Sequence, residues 1–161
     1  MNTIQINIED AIASLLASAS GINIYKSNRI SARLFPYVTI QAVLENQMLG
    51  SFTGVYALSV ELNYSDSAVK ATQEQFDQKY SDIFNILYNN TDTLKGKLQN
   101  EATGVLFYSA NITSQSPSIK SANKSWQRGL KLAIVATPYT ETYIPSLDFS
   151  IDQNSMYVPL T

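Results

Sequence analysis

The groups available for acid–base or nucleophilic work are few, because the chain of 161 residues contains no histidine and no cysteine. The absence of cysteine excludes disulfides and thiolate metal sites. The absence of histidine removes the commonest general base and the commonest metal ligand. Paired carboxylates remain, with Glu9 beside Asp10 and Glu141 near Asp148. Two such groups can run general acid–base chemistry only if their environments push their pKa values apart. Glu9 and Asp10, however, stand at the start of a helical pattern, and Glu141 and Asp148 lie in a C-terminal tail. Gly50 and Gly54 lack the lysine and the strand-to-helix setting of a phosphate loop. The other acidic residues are too scattered for a calcium loop. The sequence therefore nominates no catalytic, cofactor-binding or metal residue, and the chain reads as a non-enzyme. A carboxylate enzyme would need a cleft holding two carboxyls, one with a raised pKa.

What stands out instead is large, sticky surface. The stretch KSWQRGLKLAIVATP alternates Trp126, Arg128, Leu130, Leu132, Ile134 and Ala136 against Ser125, Gln127, Gly129, Lys131, Ala133 and Val135. A period of two marks a strand. Leu130, Leu132 and Ile134 are expected to pack under helices, with Trp126 and Arg128 projecting past the sheet edge to a neighbour. Trp126 capping the end of the chain's own core is the alternative. Lys26, Arg29 and Arg33 form a basic cluster in a polar loop. That loop is either solvated or in contact with a partner subunit or DNA. Ten tyrosines add amphipathic area suited to core edges and interfaces.

The elements that must position these groups follow from periodicity. Ile8, Ile12, Leu15, Leu16 and Ala19 make a helical stripe. Asn7 is the expected N-cap, and Gly21 is placed for a left-handed C-cap. Short strands follow around Ile22–Lys26 and over YVTIQAVLE, with Val38, Ile40, Ala42 and Leu44 on one face. VYALSVELNY places Tyr56, Leu58, Val60, Leu62 and Tyr64 together. The register is fixed there, because a one-residue slip would bury Glu61. A long helix is expected over SDSAVKATQEQFDQKYSDIFNILYN, capped by Ser65 or Asp66 at its start and by Asn89–Asn90 at its end. Its stripe is Val69, Gln73, Phe76, Tyr80, Ile83, Phe84 and Leu87. A short helix is expected near Leu94 and Leu98. In GVLFYSANIT, Leu106, Tyr108, Ala110 and Ile112 are set against Val105, Phe107 and Ser109.

The expected fold is α+β, an antiparallel β-sheet with helices packed on one face, in the order α-β-β-β-α-(α)-β-β. It occupies residues 1–138 and leaves an extended C-terminal tail, 139–161. That tail is too apolar for a plain linker. It is expected to dock on its own domain or a neighbouring subunit, with Tyr143 and Phe149 as contacts, by a route such as strand addition to a sheet edge. Eleven basic and thirteen acidic residues give a net charge of -2, which argues against a dedicated nucleic-acid binder. No window is apolar enough to cross a membrane as a helix, and the N-terminus lacks the pattern of a secretory signal. An intracellular protein is expected on these grounds.

Four local patterns taken together resemble a known family: IEDAIASLLAS; FPYVTI; VYALSVELNYSD running into FDQKYSDIFNIL; and the spaced Trp126, Arg128, Leu130, Leu132, Ile134. The order is similar to that of tail terminator (tail-completion) proteins of long-tailed bacteriophages, and of the neck proteins at the head–tail junction. The likeness covers roughly Asn7 to Pro138. It implies a virion protein, assembled in the host cytoplasm, that forms a hexameric ring. The ring would cap the tail-tube protein, join it to head connector or neck proteins and, in a contractile tail, touch the sheath. DNA would pass through its lumen without sequence-specific binding. Arg29, Arg33, Trp126, Arg128, Tyr143 and Phe149 are the candidate subunit contacts. Gly129, Lys131 and Ala133 are the candidate lumen wall, since a near-neutral wall does not trap phosphates. The C-terminal extension exceeds the family pattern and leaves another neck, head-completion or sheath-contacting position open. A monomeric ligand- or peptide-binding module is the reading from a different class.

Overall fold

The computed structural model describes residues 3–26, 33–47 and 54–139. The chain runs α1 (Thr3–Leu16), β1 (Asn23–Lys26), β2 (Tyr37–Gln47), β3 (Tyr56–Ser67), α2 (Gln73–Leu87), α3 (Leu94–Glu101), β4 (Val105–Gln115), β5 (Ile119–Lys120) and β6 (Ser125–Pro138). The expected α+β order is present, with the two-residue β5 added in the loop before the last strand. The strands form one sheet in the order β1-β2-β3-β6-β4, with β5 also on β6. All pairs are antiparallel except β1 with β2, which is parallel. Alternation carries no information on strand direction. Here Asn23 sets it, since its N–H donates to Pro36 O and its amide to Leu34 O, both at 3.0 Å.

The three helices cover one face. Ile4, Ile8, Ile12 and Leu16 of α1, Phe76, Tyr80, Ile83 and Leu87 of α2, and Leu94 and Leu98 of α3 are buried there. They meet Val38, Ile40, Ala42, Leu58, Val60, Leu62, Leu130, Leu132 and Ile134 from the sheet. Burying each large apolar side chain is worth about 1.5–3 kcal/mol before entropy is subtracted. The opposite face carries Gln41, Val43, Ser59, Glu61, Asn63, Lys131, Ala133 and Asn111, which are exposed or partly so.

Five expectations are corrected. Helix α1 begins at Thr3, so Asn7 is inside it, and Glu9 is buried in its middle. It ends at Leu16, so Gly21 adopts its left-handed φ of 73° in the turn before β1, beyond the helix end. Ser65 and Asp66 belong to β3, held by pairing with Gln127 and Trp126. The N-cap of α2 is Thr72, in a reciprocal capping box with Gln75, and Val69 is exposed in the preceding turn. In β4 the register shifts between Phe107 and Ser109, so Tyr108 is an extra residue. That bulge reverses the alternation: Val105 and Phe107 are buried, and Leu106 and Tyr108 are exposed.

Helical side chains finish the sheet where strands run out. β1 pairs with β2 only as far as Ile40, which leaves Ala42 with an open side. Glu9 Oε2 accepts from Ala42 N–H at 2.8 Å, and Gln5 Nε2 donates to Ala42 O at 2.9 Å. On β4, Gln99 of α3 donates to Val105 O at 2.9 Å and accepts from Phe107 N–H at 2.8 Å.

Candidate functional site

Trp126 and Arg128 share the helix-facing side of β6 with Leu130, and α2 extends over that end of the sheet. Both side chains are therefore turned inward and do not project past the edge as expected. Trp126 Nε1 donates to Ala71 O at 2.9 Å, and its ring lies 6.1 Å from that of Phe76. Arg128 Nε donates to Ser116 O at 2.9 Å, and its guanidinium lies over Tyr80 at 4.0 Å from the ring centroid. Asp77 Oδ1 stands 3.8 Å from the guanidinium and accepts from the Ser118 hydroxyl. Tyr80 Oη donates to Gln115 Oε1 at 2.7 Å. Together they tie α2, β6 and the strand-exit loop 115–118 to one another. Burial pushes the Tyr80 phenol above its ordinary value, and the Arg128 charge acts the other way.

Gly129, Lys131 and Ala133 lie on the uncovered face. Gly129 is bracketed by Ser116, donating to its Oγ at 2.7 Å and accepting from its N–H at 2.9 Å. Lys131 stands 3.5 Å from Glu61 across the β3–β6 pair, so the two charges largely cancel. Gln41, Val43, Ser59, Asn63, Asn111 and Ala133 of that face are uncharged, and Glu45 at the β2 bulge adds an exposed carboxylate near its edge. Arg33 is exposed and sits over Tyr37 at 5.9 Å. Arg29, Tyr143 and Phe149 lie outside the described residues, as do Glu141 and Asp148.

Glu9 and Asp10 are engaged separately and form no carboxylate pair. Glu9 is 1% exposed and committed to the β2 backbone, while Asp10 is paired with Lys26. No group of three or more acidic residues that could hold a metal ion occurs among the described residues. No helix among them is long and apolar enough to cross a membrane.

Two surface clefts are large enough to take a peptide. One, of about 850 Å³, lies between the end of α2 and β4, and Asp92 is its charged lining residue. The other, of about 750 Å³, lies at the far end of the sheet between the segment Leu34–Pro36 and the turn that joins β3 to α2. Its lining includes Leu34, Phe35, Lys70, Ala71 and Lys79. Sequence reasoning missed this cleft because two segments about 30 residues apart in the chain, 34–36 and 66–79, build it. The unusual exposure of Leu34 and Phe35 beside Pro36 is the trace it leaves. Neither protein-family models nor curated proteins give a match to this chain.

Proposed function

We propose that the chain is a structural subunit that assembles with copies of itself into a ring of the tail-terminator or neck type. The observation that supports this most directly is the uncovered sheet face. Among the described residues, a full core on one side leaves the other side mostly small or uncharged, with the Glu61–Lys131 pair internally neutralised and Glu45 at the β2 bulge as an acidic exception. Such a surface grips no phosphate backbone, because phosphate affinity grows with the number of cations presented. It suits a lumen through which DNA slides, with Gly129, Lys131 and Ala133 on its wall. A ring needs two different flanks that meet head to tail. In this reading the hexamer caps the tail-tube protein and presents a second surface to the head connector or neck proteins, with the sheath as a further neighbour in a contractile tail. The protein acts without a reactive group, in the virion, after assembly in the host cytoplasm.

The test is size exclusion with light scattering, joined to electron microscopy of the protein alone and with tail tubes. Rings, or caps on tube ends, are expected. A monomer that neither forms rings nor caps tubes removes the proposal. A small molecule bound tightly by such a monomer would instead establish the binding-module reading.

A further inference from the structure

The cleft at Leu34–Pro36 combines two features rarely left bare together. Its apolar part is exposed, with Leu34 67% and Phe35 46% accessible and Val69 nearby at 75%. Its cationic part is unmatched, since neither Lys70 nor Lys79 makes an ion pair among the described residues. Arg33, next to Leu34 in the chain, is not part of the lining and sits over Tyr37. Asp66 also lines the cleft, where it is buried and its Oδ1 accepts from Ser67 N–H, so the lining carries two lysines against one carboxylate. An apolar floor flanked by two lysines, with a net positive lining, fits an acidic, apolar peptide.

The chain supplies such a peptide. Residues 140–161 contain Glu141, Asp148 and Asp152, no lysine and no arginine, together with Tyr143, Ile144, Leu147, Phe149 and Ile151. The place where this segment leaves the fold decides which copy it reaches. Tyr139 N–H donates to Gly104 O, and Pro138 pairs with Val105 at one end of the sheet. The cleft is at the other end, where Ser125 pairs with Ser67. The 14 residues of β6 separate them, a distance of about 45 Å at ~3.3 Å per residue. To reach its own cleft the segment would spend more than half its length running back along the molecule. The nearer cleft, that of α2 and β4, is lined by Asp92 and would repel it.

We infer that the C-terminal segment 140–161 of one copy docks in the Leu34/Phe35/Lys70/Lys79 cleft of the next. Donor and acceptor lie at opposite ends of the sheet, which is the polarity a head-to-tail contact requires. The inference rests on the self-assembly reading and names the contact that would join neighbours.

The native chain has no cysteine, so introduced pairs report cleanly. Full-length Ala71→Cys carrying one tag is mixed with full-length Ser146→Cys or Ser150→Cys carrying another, and then mildly oxidised. A reducible product of twice the chain mass bearing both tags is expected, several-fold above an Asp92→Cys control. Adding Lys70→Glu and Lys79→Glu to the acceptor should lower its yield several-fold. The Ala71→Cys/Ser150→Cys double variant distinguishes the other occupant. Oxidation within one chain, without the two-tag product, overturns the inference, as does no product at all. Rings seen by microscopy without the product would sink this contact alone. The product without rings would retain the contact and remove the ring.

Discussion

The guanidinium of Arg128 lies over Tyr80, 4.0 Å from the ring centroid, and its Nε donates to Ser116 O at 2.9 Å. One side chain thus holds α2, through Tyr80 and Asp77, to the loop that leaves β4. A residue singled out by sequence as an interface anchor is engaged in holding its own subunit together.

Arg128→Ala should accordingly destabilise the subunit by about 2–4 kcal/mol, the sum of a partly buried cation–π contact and a charge-assisted hydrogen bond. Urea unfolding followed by circular dichroism measures it. Arg128→Lys should recover only part, because an ammonium cannot both stack on the ring and reach the carbonyl in a fixed fork. An unchanged midpoint for Arg128→Ala would show that the stack contributes nothing.

Glu9→Ala leaves the Ala42 N–H without its acceptor at a buried position, at an expected cost of about 1–3 kcal/mol. Glu9→Gln keeps an acceptor and should cost less. Amide hydrogen exchange at Ala42 gives a local readout, with protection lost in the alanine variant. Retained protection would mean another group takes over the bond.

Tyr64 is buried and stacked on Phe76 at 4.8 Å, and its hydroxyl has no hydrogen-bond partner among the described residues. Tyr64→Phe removes that polar atom without changing the packing. Stability should hold or rise by up to about 1 kcal/mol, which is about 2–4 °C in the melting temperature for a domain of this size. A loss of stability would reveal a partner for the hydroxyl.

Alkali should loosen the fold. Burial, followed by the charges of Asp66 and Asp82, pushes the Tyr64 phenol well above its ordinary 10.0. Burial raises Tyr80 as well. Near and above pH 10 the unfolded chain releases these protons while the folded chain keeps them. The unfolded state then binds fewer protons, so stability declines with rising pH. The contribution is complete below pH 10 and disappears as pH climbs toward the folded values. Melting curves between pH 9 and about 11.5 should show the decline, and Tyr64→Phe should flatten it. Equal slopes in the two proteins would place the alkaline lability elsewhere.

Much of this arrangement is legible in the sequence. Alternation alone selects the core face of β2, β3 and β6, and the stripe Phe76, Tyr80, Ile83, Leu87 fixes the buried side of α2. Thr72 with Gln75 is a capping-box signal that places the start of α2, whereas a reading of apolar spacing alone extends the helix back to Ser65. Trp126 and Arg128 stand out by type and phase, and their parity already groups them with Leu130 on the helix side. What they touch depends on how far α2 reaches over the sheet, which no local pattern contains.

The chain by itself determined the two-layer design, because burial faces follow from side-chain periods of 2 and 3.6 that are local to each element. It also determined the chemistry available, since a chain without histidine or cysteine has few groups to activate. Only the tertiary structure decided the direction of β1, the bulge at Tyr108 that exchanges the faces of β4, and the use of Gln5, Glu9 and Gln99 to close open strand edges. It alone brought Leu34, Phe35, Lys70 and Lys79 around one cleft. Each of these depends on which distant backbone groups are left unpaired, and that is settled when the elements meet.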